Sequence, residues 1–168
     1  MSVISVATGT IGKVKYLFGA DDVPHGLADC SAWSRYCYKK GANIDIGRDT
    51  KTQLANCEQI KKEDLQAGDL VFFQGTYRRG VSHVGIFYKG TQFIHMDESK
   101  GCTVSDLESK YYKNHWLTGG RVNGYKEQIT DKLKDLDLSN QKDTDQINSI
   151  VIIVLILMLI FTFFIIIR

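Results

Sequence analysis

Residues 81–96 read Val81-Ser82-His83-Val84-Gly85-Ile86-Phe87-Tyr88-Lys89-Gly90-Thr91-Gln92-Phe93-Ile94-His95-Met96. β-Branched and aromatic residues fill Val81–Tyr88 and Gln92–Met96. Lys89-Gly90 stands between them, so the two runs read as the arms of one antiparallel hairpin. Each arm carries a histidine. Side chains alternate along a strand, so register decides whether the two rings meet. A strict two-residue turn pairs Val84 with His95 and sends the rings to opposite faces. A three-residue loop or a bulge brings them to one face. The odd-length loop is expected, because only that arrangement lets one imidazole orient the other. His83 is then the candidate base and His95 the group that holds its tautomer through the second ring nitrogen. Asp97 and Glu98 are weaker candidates for the same orienting role. His25 and His115 lie in polar or irregular contexts and read as surface or structural.

A nucleophile is sought upstream. Asp29–Lys40 reads as a helix, with Asp29 as N-cap, Lys39 and Lys40 at its end, and Gly41 at the C′ position. Trp33, Tyr36 and Cys37 form its apolar stripe. Cys30 then sits at the helix start, where unpaired backbone N–H groups and the positive dipole end favour a thiolate and can receive an oxyanion. A free cysteine is more often a buried, inert side chain. The paired histidines downstream tip the reading towards catalysis by Cys30 and His83.

The remaining elements follow from local pattern. Asp49–Cys57 reads as a second, shorter helix. Leu70–Phe73 is a short apolar strand behind the turn Ala67-Gly68-Asp69. Leu107–Trp116 is helical or irregular, and Arg121-Val122 begins a last strand. The coarse order is helix first and strands later.

Four strings stand in order: Asp29-Cys30-Ser31, Gly68-Asp69-Leu70-Val71-Phe72-Phe73, His83-Val84-Gly85-Ile86-Phe87 and Phe93-Ile94-His95. Their order and gaps resemble the NlpC/P60 family of cell-wall cysteine peptidases, over about Val14 to Val122. The resemblance implies a papain-like α+β fold, with N-terminal helices packed on an antiparallel sheet. It also implies hydrolysis of amide bonds in peptidoglycan stem peptides, often the bond between D-γ-glutamyl and a diamino acid. The family's Cys, His and third polar residue fall on Cys30, His83 and His95. The resemblance further assigns Tyr16 to the oxyanion site, and Asp29 and Ser31 to binding the substrate's amine end. Ala32 departs from the glycine usual after Cys-Ser. Gly19-Ala20 stands where two glycines are usual.

Composition bounds the alternatives. The chain has 168 residues and a formal charge of +2, and no basic cluster interleaved with aromatics. No nucleic-acid partner is therefore expected. The cysteines Cys30, Cys37, Cys57 and Cys102 include no Cys-x-x-Cys pair, so a structural zinc site is not expected; no cofactor is expected either. Cys30 and Cys37 stand about two helical turns apart, roughly 10 Å of rise, too far for a disulfide.

The C-terminal part differs in kind. Residues 1–122 read as the hydrolase domain. Residues 123–149 are rich in Lys, Asp, Gln and Asn and read as a polar stalk, partly helical through Ile129, Leu133 and Leu136. Ile150–Ile167 is apolar except for Thr162. As a helix it spans about 27 Å, close to the thickness of a bilayer's hydrocarbon core. The expected protein is a single-pass, C-terminally anchored one whose partners are a lipid bilayer and a peptidoglycan peptide. No secretory signal is read at the N-terminus. Lys132, Lys134 and Lys142 precede the span and only Arg168 follows it, which favours a cytoplasmic domain, whereas peptidoglycan lies outside. A phage or viral product, carried in a virion membrane or released at lysis, would remove the conflict. Two rivals stay open: an intracellular amidase or acyltransferase using the same thiol at the membrane, and a binding module that keeps the fold without the chemistry.

Overall fold

The computed structural model describes residues 1–125, 133–134 and 136–152. Helix α1, Val3–Gly9, is capped by Ser2, whose side chain accepts from the Ser5 amide. Three two-residue strands follow: β1, Lys15–Tyr16; β2, Asp21–Asp22; and β3, Leu27–Ala28. They form a small sheet in the order β1-β3-β2. Helix α2 runs Cys30–Ala42, and helix α3 runs Thr50–Ala55 behind its N-cap Asp49.

The main sheet has six strands: β4, Cys57–Ile60; β5, Leu70–Gln74; β6, Val81–Lys89; β7, Gln92–Asp97; β8, Gly101–Asp106; and β9, Trp116–Val122. All neighbours pair antiparallel in the order β4-β9-β5-β6-β7-β8. A short helix α4, Lys110–His115, precedes β9. The helices and antiparallel sheet are the α+β arrangement expected. Strand β9 begins at Trp116, well before the Arg121 start read from sequence, and β4 and β8 were not read at all.

The sheet is covered on both faces, which explains its unbroken apolar runs. Leu70, Phe72, Val84, Ile86, Ile94 and Met96 belong to the core shared with α1 and α2. Val71, Phe73, Phe87, Phe93 and Leu107 form a second core with Leu65, Tyr112 and Trp116. A strand wet on one side would alternate, and Leu70–Phe73 does not.

Helix α2 starts where the sequence places it. Asp29 has extended backbone, and its carboxylate accepts from the Ala32 amide at 2.8 Å. Its buried stripe is Trp33, Cys37 and Tyr38. Tyr36, expected in the stripe, is only half-buried. The end also differs. The helix continues through Gly41 and closes at Asn43, which adopts the left-handed conformation at φ 57°. Asparagine tolerates that region through its short polar side chain. Gly41 serves helix crossing instead of capping, since a Cβ there would lie 2.5 Å from the Val3 amide nitrogen. No side chain fits while α1 lies against α2.

The chain divides into two units, Met1–Lys126 and Glu127–Arg168. In the first, Tyr125 is buried, with its ring edge-on to Tyr38 at 5.3 Å. Core packing therefore continues past Val122, the boundary read from sequence. In the second, residues 136–152 form an exposed helix. Among the described residues no helix is long and apolar enough to cross a membrane. The apolar run Ile150–Ile167 lies outside the described residues from position 153 onward, and so does Ile129.

Candidate active site

The histidine hairpin has the register the sequence argument required. Gly85 pairs with His95 across the hairpin, and the ladder shifts between Phe87 and Lys89. That irregularity puts His83 and His95 on one face. His83 Nε2 and His95 Nδ1 stand 3.0 Å apart, with their ring planes at 85°. Gly85 is what makes room. A Cβ there would lie 2.6 Å from the Phe93 ring, 2.9 Å from the Ile94 carbonyl oxygen and 3.1 Å from His95 Cβ. A glycine inside a strand commonly marks such a close approach.

His95 is fully buried and stacked on Phe93 at 4.8 Å. Its second nitrogen, Nε2, is 2.9 Å from Ser105 Oγ on β8 and 3.2 Å from the Tyr112 hydroxyl on α4. Burial lowers the His83 pKa to about 3, with His95 as second cause, and burial lowers that of His95 to about 4. Both rings are therefore neutral near pH 7, and a base must be neutral to accept a proton.

Cys30 departs from expectation. Its place at the start of α2 predicted a lowered thiol pKa. The side chain is buried. Burial, followed by the charge of Asp29, pushes the thiol up to about 11. The backbone N–H groups of Val84, Ser31 and Cys30 itself act in the opposite direction, and desolvation outweighs them. The resting pair is thiol and neutral imidazole. A thiolate at this position needs a base to take its proton, and the same N–H groups stand where negative charge on the sulfur would develop. The approach of the Val84 amide to the sulfur sets Cys30 against the strand that carries His83.

The helix start is held from several sides. Asp29 is nearly buried. Arg48 donates to it twice, Nη1 to Oδ1 at 3.1 Å and Nη2 to Oδ2 at 2.9 Å. Ser31 also donates to Asp29, at 2.9 Å, and accepts from Arg48 Nη1 at 3.1 Å. Arg48 Nη2 reaches the carbonyls of Gly19 and Ala20 as well. Two N–H groups of one planar guanidinium on one carboxylate are a directional restraint. The buried Gln53 of α3 donates to the Ser31 carbonyl at 2.8 Å and accepts from Ser34 at 2.9 Å. The Asp29 and Ser31 side chains are thus already engaged with Arg48, although both still line the cavity beside Cys30.

Two cavities meet at this point. One of about 160 Å³ holds Cys30, Asp29, Ser31, Arg48, Asp49, Thr50 and Arg78. The other, of about 550 Å³, is walled by His83, His95, Ser105 and Tyr112, with Asp97, Glu98 and Lys100 at its polar side. Tyr16, Phe18 and Tyr77 line both. Phe18 and Tyr77 touch edge-to-face at 5.7 Å, so they stand between the two chambers. The Tyr16 hydroxyl is raised to about 12 by burial and by the nearby Cys30 and Glu98 charges, so it stays a neutral donor. Asp97 and Glu98 sit on the cavity wall. The orienter hydrogen-bonded to His83 is His95. His25 is an exposed partner of Asp22 at 2.7 Å, and His115 meets the Tyr111 carbonyl oxygen at 2.8 Å.

Arg48, Gln53, Ser105 and Tyr112 were not read from sequence. Each acts through contacts distant in sequence and sits in no periodic pattern. The only legible hint was that a carboxylate next to a nucleophile needs a cation to offset it.

Comparison with known proteins places these residues in a wider set. The model of the NlpC/P60 family matches residues 12–121. A gamma-DL-glutamyl hydrolase of Bacillus subtilis is 34% identical over 119 residues, covering 71% of this chain and 28% of that protein. A probable endopeptidase NlpC of Escherichia coli is 40% identical over 90 residues, covering 52% of this chain and 58% of its own length. The crystal structure of the NlpC/p60 domain of the peptidoglycan hydrolase SagA superposes with a TM-score of 0.61 at 28% identity, covering 72% of this chain and 97% of that one. The chain thus spans well under two thirds of the length of these two curated relatives.

Proposed function

The chain belongs to the NlpC/P60 family, and on that premise we propose that it is a cysteine endopeptidase acting on peptidoglycan stem peptides, at the bond between D-γ-glutamyl and a diamino acid. The observation that carries the reading is the His83–His95 pair at 3.0 Å in a cavity that shares its aromatic wall with the Cys30 chamber. Cys30 Sγ attacks the amide carbonyl as His83 accepts the thiol proton. The Cys30 backbone N–H and the Tyr16 hydroxyl hold the oxyanion. His83 then gives its proton to the leaving amine, and water hydrolyses the thioester with His83 again as base. Asp29 and Ser31, held by Arg48, line the acyl side. A relative named for gamma-DL-glutamyl hydrolysis and another named as an endopeptidase support this bond class.

The apolar run from Ile150 to Ile167 acts, in the same proposal, as a single-pass membrane anchor, because an all-round apolar helix has lipid as its natural solvent. Full-length protein should stay with membranes through carbonate and high-salt washes. Release by salt would remove the anchor and leave the hydrolase reading standing. An amidase or acyltransferase on the inner side of the membrane is the second reading, favoured by the lysines ahead of the run. Release of the domain at lysis would bring it to peptidoglycan instead.

Incubating full-length protein in detergent with purified peptidoglycan separates these readings. New free amino groups on the diamino acid, with matching γ-glutamyl carboxylates, are expected among the soluble fragments by mass spectrometry. Intact walls alongside thiol-dependent turnover of a lipid or peptide acyl donor would favour the second reading.

A further inference from the structure

Proton bookkeeping in the histidine pair leaves one choice open. His83 Nε2 faces His95 Nδ1 at 3.0 Å, so a single proton lies between them. If it sits on His83, Nδ1 of that ring is bare and free to take the thiol proton. If it sits on His95, His83 carries its own proton on Nδ1 and is blocked as a base. Whatever holds the far nitrogen of His95 decides between the two.

That nitrogen, Nε2, is within reach of two oxygens at once, Ser105 Oγ at 2.9 Å and the Tyr112 hydroxyl at 3.2 Å. The two hydroxyls come from different elements, β8 and α4, and converge on that one nitrogen. A bare ring nitrogen has one in-plane lone pair and takes one donor well. A ring N–H pointing between two oxygens serves both, each hydroxyl accepting through a lone pair while its own proton turns away from the ring. The pair of hydroxyls therefore favours a proton on His95 Nε2. We propose that Ser105 and Tyr112 are positioning residues that lock His95 as the Nε2–H tautomer and so keep His83 Nδ1 bare for the Cys30 proton. The catalytic half of the proposal rests on the hydrolase reading.

The rival role for Tyr112 is packing, since its ring lies 5.0 Å from Phe73 and 4.8 Å from Phe93. A phenylalanine packs equally well there, so Tyr112→Phe removes the hydroxyl alone. Ser105→Ala removes one oxygen at a half-buried strand position, and Ser105→Thr keeps it.

The test uses full-length protein in detergent with ¹⁵N-labelled histidine. Long-range proton–nitrogen spectra are expected to show His83 and His95 both protonated on Nε2. In the Ser105→Ala, Tyr112→Phe double variant, His95 should become a mixture of tautomers. Turnover of a γ-D-glutamyl-diamino acid peptide should fall about tenfold in kcat for each single variant, with KM changing less than twofold, and Ser105→Thr should restore it. Wild-type tautomers in the double variant would overturn the proposal. So would an unchanged kcat, or a loss confined to KM, which would make Tyr112 a substrate contact. The spectra need no substrate. Inactive wild type with the expected tautomers would therefore count against the hydrolase reading and for the lock, while active wild type with the opposite tautomers would sink the lock alone.

Discussion

Cys30→Ala is expected to leave no hydrolysis above background, His83→Ala to lose about three to four orders of magnitude in kcat, and His95→Ala nearer two. The ranking follows from what each atom does in the proposed reaction. Without Sγ there is no acyl-enzyme. Without His83 the thiol, held near pKa 11 by burial, has no group to take its proton and the leaving amine has none to give it one. Without His95 the base is present but unheld. Stability must be read beside activity, because the three sites are buried to different degrees. Cys30→Ala removes one buried sulfur and should cost about 1 kcal/mol. His95→Ala opens a cavity under Phe93 and strips His83 Nε2 and Ser105 of a partner, for about 3 kcal/mol. His95→Asn is the control, since its amide oxygen still offers His83 an acceptor. Should His95→Ala be as inactive as His83→Ala, and His95→Asn no better while folded, the division of roles would be wrong. Measurable turnover by Cys30→Ala would end the mechanism.

The legible and illegible parts of this protein divide along a physical line. Residues that act through the local chain were readable. Asp29 caps because its carboxylate reaches an amide three residues on. His83 and His95 share a face because hairpin periodicity and one irregularity dictate it. Cys30 stands at a helix start for the same local reason. What those positions imply about charge was not readable. The dipole argument for a lowered thiol pKa counts the N–H groups at a helix terminus but not the apolar walls around them, and here desolvation and Asp29 win. Gly41 shows the same limit. A glycine near a helix end suggests a cap, yet the backbone of α1, more than thirty residues away in sequence, is what excludes a side chain. Strands β4 and β8 escaped because Cys57–Ile60 and Gly101–Asp106 are largely polar and pair at the two sheet edges. Pairings with distant strands, Gln59 with Gly120 and Thr103 with His95 among them, define them.

Acidification should unfold the first unit earlier than its carboxylates alone would. His95 is wholly buried, and its pKa is lowered to about 4. In the unfolded chain a histidine titrates near 6.5. Between those values the unfolded chain binds a proton that the native state refuses, so stability rises with pH through this window and is lost as pH falls below about 6.5. The slope approaches about 1.4 kcal/mol per pH unit for one proton and is about half as steep at pH 6.5, where the unfolded histidine is half protonated, so His95 alone removes about 2 kcal/mol between pH 6.5 and 4.5. His83, lowered to about 3 but open on one side to the cavity, adds a smaller share in the same direction. Asp97 and Asp49, whose carboxyls are held below the usual range, lose their contributions only when pH drops under about 4. The window from 6.5 to 4.5 therefore belongs to the histidines. Urea midpoints measured across it should fall steadily in the wild type, by an amount comparable with a large fraction of a small domain's total stability. Replacing both rings, as His83→Gln with His95→Asn, lowers stability at pH 7 but should flatten the profile down to pH 4.5. A flat wild-type profile, or an equally steep one in the double variant, would mean that the buried pair is not what the acid attacks.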